Sequence, residues 1–243
     1  MLGYLIDRAR RMRRGGHSEA PHIPGGGIVR ELVFGANDGL VAAFAVVSGV
    51  YGAAAPPHVV FLAGVAELIG GTIAMGLGGY LAVKSEREYY LAERRREERE
   101  VDLYPETERC EVREIFRAKG FDADVLDAIV THVTAERGRW VDTMMRDELG
   151  LSLDGQRAPA AAGLATGLAY AFGASMPSMP YAVLGVTAAF RVSIALTLAT
   201  LFFVGAAKTV VTGRSWWRAG VETTVIGALA AAATFAAGLL LAA

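Results

Sequence analysis

Three polar residues stand in stretches otherwise apolar enough to cross a bilayer. They are Asp38, in Asn37-Asp38-Gly39, and Glu67 and Met75, two turns apart on one helical face. Ionisable groups at such depth are costly, and their default reading is functional. Asp38 lies eight residues after Arg30 and Met75 nine before Lys84. At about 1.5 Å per residue both sit roughly 12 to 14 Å inside the boundary those cations mark. A hard carboxylate facing a soft thioether across two helices suits a borderline divalent transition metal better than Mg2+ or Ca2+. The plainer alternative has Asp38 capping a helix near the interface and Met75 filling a packing gap. Glu67 lies seventeen residues before Lys84, and Arg191 seventeen before Lys208. Equal depth makes Glu67 and Arg191 candidates for an ion pair that would keep Glu67 ionised. If Arg191 snorkels outward instead, Glu67 is free to carry a proton.

A second set lies in a charged segment. Glu97 and Glu100 are three apart, as are Glu108 and Glu111, and Met144 and Met145 precede Glu148. Each group presents its side chains from one face of a helix, so three helices could close carboxylates and thioethers around several metal ions. Arg94, Arg95, Arg96, Arg99, Arg109 and Arg113 interleave with these acids, which is also the pattern of a solvated charged helix. Cys110 falls between Glu108 and Glu111 but on a helix points elsewhere, and a single cysteine allows neither an intramolecular disulfide nor a CxxC site. His132 and Glu136, four apart, read as a surface contact before a metal pair. A di-iron carboxylate enzyme needs Glu-x-x-His pairs on bundle helices. The residue three before His132 is Ile129, so that class fails, and neither catalysis nor an organic cofactor is expected.

The elements that must position these residues read as an all-α membrane protein. The chain has 243 residues, 53% hydrophobic, with a net charge of −1 that hides a strong asymmetry between segments. Spans of the required length of about 20 residues are predicted over Leu32 to Ala55, His58 to Val83, Ala158 to Met176, Tyr181 to Ala207 and Trp217 to Ala243. The expected organisation is a basic tail over 1–29, transmembrane helices 1 and 2 over 30–84, a helical insert over 85–157, and transmembrane helices 3 to 5 over 158–243. Gly35-x-x-x-Gly39 and Gly163-x-x-x-Gly167 suit close helix packing in lipid. The insert begins as a continuation of the second span through Val101, which Pro105 breaks. Further helices are predicted from Glu108 to Lys119 with Thr107 as cap and Gly120 as stop, from Asp122 or Asp124 toward His132, and from Thr134 to Leu149 before Gly150.

Lysine and arginine set the orientation. Arg8, Arg10, Arg11, Arg13, Arg14 and Arg30 precede the first span, Lys84 and Arg87 follow the second, and Lys208, Arg214 and Arg218 separate the fourth from the fifth. The opposite turns carry none, so the N-terminus and the insert are expected in the cytosol and the C-terminus outside. The basic tail has no long apolar core and no cleavage site, so it reads as a juxtamembrane segment, not as a signal peptide or a nucleic-acid arm.

These residues together resemble the vacuolar iron transporter family, which includes bacterial members. The resemblance runs from about Gly27 to the C-terminus. Its carrying segments are Phe34-Gly-Ala-Asn-Asp-Gly-Leu-Val41, Met75-Gly-Leu-Gly-Gly-Tyr-Leu-Ala82 with Lys84-Ser-Glu86, Pro105-Glu-Thr-Glu108, Trp140-x-x-x-Met144-Met145-x-x-Glu148-Leu-Gly-Leu151 and Gly173-Ala-Ser-Met-Pro-Ser-Met-Pro-Tyr181. It implies a five-helix homodimer with a translocation path at the two-fold interface, exporting Fe2+ from the cytosol in exchange for protons. It implies that Asp38, Glu67 and Met75 line the path, and that Glu97, Glu100, Glu108, Glu111, Met144, Met145 and Glu148 bind metal. Ligand softness admits Fe2+, Mn2+, Co2+ and Zn2+ alike; the resemblance selects Fe2+. Ser178 stands where the family often has Leu, and Arg191 has no place in the family pattern. The expected partners are divalent metal ions, protons, membrane lipid and a second copy of the chain, in a plasma membrane if the source is bacterial. The rival reading is a membrane-anchored iron sensor or storage protein, which would not need Asp38, Glu67 and Met75 along its spans.

Overall fold

The computed structural model describes residues 26–153, 158–209 and 215–242. The expectations for Arg8 to Arg14, Arg157 and Arg214 lie outside the described residues. Within them every regular element is helical. Helix α1, Gly26–Gly52, ends before Pro56-Pro57. Pro56 is extended and Pro57 opens α2, where its missing N–H and fixed φ suit a first helical position. Helix α2, Pro57–Leu103, runs 47 residues, about 70 Å. That is more than twice the hydrocarbon thickness of a bilayer. Nothing stops it at Lys84, because the Glu, Arg, Leu and Ala that follow are good helix formers. Pairs such as Lys84 with Glu88 and Arg96 with Glu100 lie along the same helix.

Three short helices form a unit on the projecting half of α2, the first and third lying against α2 and the second against those two. They are α3, Pro105–Ala118, α4, Ala123–Thr134, and α5, Arg137–Thr143, which widens into a π-helical turn at Met144–Glu148. Helix α3 starts earlier than expected. Pro105 both breaks α2 and occupies the first position of α3, so Thr107 lies inside the helix and is not its cap. Gly120 at φ +92° and Gly150 at φ +66° end their elements in the left-handed region that glycine tolerates. The predicted helix over Thr134 to Leu149 is interrupted at Ala135 and Glu136, and Thr134 belongs to α4. In the π turn the Leu149 N–H donates to the Met144 carbonyl at 3.2 Å, five residues back. Val101, Val112, Leu126, Trp140, Val141, Met144 and Met145 form the core of this unit.

The remaining helices are α6, Pro159–Ser178, α7, Pro180–Val183, α8, Val186–Ala207, and α9, Trp216–Ala242. The predicted span from Tyr181 to Ala207 is therefore divided. Pro180 opens a single turn, Leu184 is extended, and α8 starts afresh at Val186. Pro177 sits inside α6 and does not close it.

Among the described residues four helices are long and apolar enough to cross a membrane: Ile28–Gly52 of α1, Pro57–Leu103, Val186–Ala207 and Trp216–Ala242. Helix α6 is not among them. Its Gly, Ser, Thr and Pro content lowers its hydropathy, and its small residues serve another end. Half of its 20 residues are buried, and it packs along both α1 and α2. Both small-residue pairs lie in these contacts. A Cβ at Gly39 would collide with the backbone carbonyl of Tyr170, and one at Gly163 would stand 2.6 Å from the carbonyl oxygen of Gly76. Gly39→Val is expected to force α1 away from α6 and to lower stability by about 1 to 3 kcal/mol, read as a lower Tm in detergent. Gly70→Ala, which would meet nothing within 4 Å, is expected to leave the Tm unchanged or slightly raised.

Candidate metal path and carboxylate cluster

Helix α1 contributes Asp38, α2 contributes Glu67 and Met75, and α6 adds Tyr170, a residue outside the sequence-based set. The Tyr170 hydroxyl donates to Glu67 Oε1 at 2.5 Å. Tyr170 is only 2% exposed. Its ring fills the space beside Gly71, one turn along α2 from Glu67, where any side chain would overlap it. Asp38 is near enough for the charge of Glu67 to act on it, and Tyr170 interacts with both acids. Met75 packs with Leu68 against the buried group of Ala43, Tyr170 and Ala174. It also lines a cavity of about 460 Å3 between α1, α2 and α6, whose walls include Arg30, Phe34 and Thr166. The structure thus gathers Asp38, Glu67 and Met75 around one tyrosine. The signal for Tyr170 is its position as a large side chain with a polar end in a helix of small residues, where a buried hydroxyl needs a partner.

Arg191 does not pair with Glu67. It is exposed and has no ion-pair partner among the described residues, while the partner of Glu67 is the Tyr170 hydroxyl. Helix α8 is continuous from Arg191 to its end at Ala207, so the residue count from Lys208 stands; what separates the two side chains is which helices pack together. Helix α8 packs chiefly against α9 and α1.

The second set meets on the projecting part of α2. Glu97 and Glu100 come from α2, Glu108 and Glu111 from α3, and Met144, Met145 and Glu148 from the π turn. Glu97 and Glu108 are 4% and 5% exposed, and Glu108 Oε2 is buried without a hydrogen-bond partner. The interleaved arginines mostly turn to other acids. Arg94 binds Asp142 at 2.6 Å, Arg109 binds Glu106 at 3.0 Å and Arg113 binds Asp127 at 2.5 Å, while Arg137, outside that set, binds both oxygens of Asp102 at 2.9 and 2.8 Å. Arg96 reaches Glu100 at 3.2 Å. Among the described residues Glu97, Glu108, Glu111 and Glu148 have no ion pair of their own.

The electrostatic consequence is large. Burial first, and then the charges of Glu148, Glu100 and Glu111, push the Glu97 carboxyl up to about 7. Burial, then Glu111, Glu97, Glu100 and Glu148, do the same to Glu108. Glu148 is raised as well, by desolvation and then by Glu111 and Glu100. The five carboxylates are coupled without converging: among the described residues no three acidic, histidine or cysteine side chains are gathered into ligating geometry. Met144 and Met145 are 0% and 1% exposed and pack in the core beneath the acids. Cys110 is exposed and free.

A helical integral membrane protein with two acids and a thioether grouped within its membrane-crossing region, and a carboxylate cluster on a helix that projects beyond it, is the class this architecture defines. The sequence pattern of the VIT family matches residues 29–239. The chain is 37% identical over 235 residues to vacuolar iron transporter 1 of Oryza sativa subsp. japonica, covering 96% of this chain and 93% of that protein. It is 39% identical over 220 residues to vacuolar iron transporter 1 of Arabidopsis thaliana, covering 90% and 88%. The vacuolar iron transporter of Toxoplasma gondii is 30% identical over 237 residues, covering 93% and 78%. The chain belongs to the VIT family, and these relatives are transporters by name, not enzymes.

The raised carboxyls predict a pH dependence with a definite sign. Where the native pKa of an acid lies above its ordinary value, the native state binds more protons. Stability contributed by Glu97 and Glu108 is therefore present near pH 4.5 and lost as pH rises toward 7. With chelator present, the amide protection of α3 to α5, taken relative to the intrinsic exchange rate at each pH, is expected to fall over that interval. Glu97→Gln with Glu108→Gln should flatten the dependence; an unchanged slope would refute the assignment.

Proposed function

We propose that this chain is a proton-coupled antiporter for divalent metal, exporting Fe2+, and Mn2+ by the same chemistry, from the cytosol. The observation that carries the proposal is the carboxylate cluster on α2, α3 and the π turn, in which Glu97 and Glu108 are buried with no ion pair of their own among the described residues. Such a group is costly unless it is protonated or neutralised by a cation, and near pH 7 Glu97 and Glu108 stand between those two conditions. The names of the relatives supply iron.

In this reading Glu97, Glu100, Glu108, Glu111 and Glu148 collect metal and release protons as they do so. Met144 and Met145 contribute thioethers from below, through adjustment of the π turn that carries them. Metal then enters the cavity lined by Met75 and passes to Asp38 and Glu67. Tyr170 holds Glu67 toward α6, and its hydroxyl keeps that carboxylate partnered when no cation is near. Competition between metal and protons for the same carboxylates, exposed alternately to the two sides, gives antiport without bond chemistry.

Helix α6 is the fifth span in this account. It packs along α1 and α2 within their membrane-crossing region, which supports placing it at the same depth. The distribution of lysine and arginine favours a cytosolic N-terminus and insert and an external C-terminus. A homodimer with the path at its two-fold axis, in the plasma membrane of a bacterial source, completes the reading. In proteoliposomes, Fe2+ flux is expected to require a proton gradient. Asp38→Ala should abolish it, and Tyr170→Phe should shift its pH dependence. Glu97→Gln with Glu108→Gln should slow flux at low metal while sparing the maximal rate. Flux undiminished by Asp38→Ala would sink the pathway assignment.

A further inference from the structure

Helices α1, α8 and α9 leave between them a crevice of about 640 Å3 that has no part in the path described above. Its walls are apolar, with Val33 and Phe34 from α1, Val204 from α8 and Ile226 from α9. Phe34 and Ile226 are exposed, so the crevice opens sideways toward the surroundings of the helices. Two cations stand over one end, Arg30 on α1 and Lys208 just after α8. Among the described residues neither has an ion-pair partner, and none that lines the crevice is acidic. Arg30 also lines the smaller cavity that includes Val83, next to Lys84, which puts the cationic end on the insert side of the membrane. About 10 Å deeper along α1, Asn37 lines the crevice, and its Oδ1 is buried without a hydrogen-bond partner.

We infer that this crevice is a binding site for an anionic phospholipid of the insert-side leaflet. Its phosphate lies between Arg30 and Lys208, and an acyl chain runs along Val33, Phe34, Val204 and Ile226. Basic residues over an apolar cleft between membrane helices match the two ends of such a lipid. The chain's own N-terminal segment is a poor occupant, because Arg8 to Arg14 have the same sign as the two cations. Arg30 and Phe34 belong to both the crevice and the cavity that Met75 lines. Where metal enters by that cavity, as proposed above, a bound headgroup offsets a cation that would otherwise repel it. Lipid binding itself does not depend on that proposal.

The test is native mass spectrometry of the full-length protein in detergent with added phosphatidylglycerol or phosphatidylcholine. Phosphatidylglycerol is expected to be retained selectively. Arg30→Gln with Lys208→Gln should weaken that retention at least tenfold, since about 1 kcal/mol for each of two cations near a headgroup converts to more than one decade. Val33→Trp, which fills the apolar part and keeps both charges, should also reduce it, so the proposal does not rest on one variant. Millimolar inorganic phosphate should leave retention unchanged. Equal retention of the two lipids would overturn the proposal, as would wild-type retention by both variants. Displacement by phosphate would make the ligand a free anion, and cross-linking of Ile226→Cys between copies would make the crevice a protein interface; either result also overturns it.

Discussion

Glu97 and Glu108 are buried almost completely, with three more carboxylates in electrostatic range and one arginine engaged at Glu100. A like-charge group in this setting cannot stay fully ionised near neutral pH. The surrounding structure accepts that condition. Arg94, Arg137 and Arg109 are close by in sequence and are fixed to Asp142, Asp102 and Glu106 instead. Two of these pairs also tie the segment from Arg137 to Asp142 to α2, so the cations hold the frame and do not neutralise Glu97 and Glu108. The core beneath, with Val101, Val112 and the two methionines, fixes α3 and the π turn against the stalk.

The length of α2 joins this cluster to the membrane. One helix carries Glu67 and Met75 at one level and Glu97 and Glu100 at another, with no break between. A displacement of the projecting half of α2 therefore has a rigid element through which to reach Met75 and Glu67. Within the bilayer the same helix is held to α6 by contacts that only glycine permits, and those contacts bring the Tyr170 hydroxyl onto Glu67. The small-residue composition that makes α6 a weak candidate as a span also makes it the element on which α1 and α2 meet.

Much of this was legible in the residues. The long apolar stretches, the glycine stops at Gly120 and Gly150, and the two sets of acids and methionines follow from composition and spacing. What spacing misses depends on three-dimensional neighbours. The start of α3 at Pro105 was hidden because proline signals both an end and a beginning. The division of the fourth span at Leu184 was hidden because hydropathy continues through it. The separation of Arg191 from Glu67 was hidden because equal depth does not say which helices pack together, and α8 lies against α9 and α1. Tyr170 was missed because it is chemically modest alone and matters only through its contact with α2. The burial of Met144 and Met145, and the turning of the arginines toward other acids, are tertiary facts that periodicity does not encode.

The central claim is that the carboxylate cluster exchanges protons for metal. It is tested most directly by anaerobic calorimetric titration of the full-length protein with Fe2+ in buffers of different ionisation enthalpy, which counts protons released per ion bound. The account predicts release near pH 7 that declines toward zero well above the raised carboxyl values, together with loss of binding in Glu97→Gln with Glu108→Gln. Binding that is independent of pH, releases no protons and survives that double substitution would contradict it.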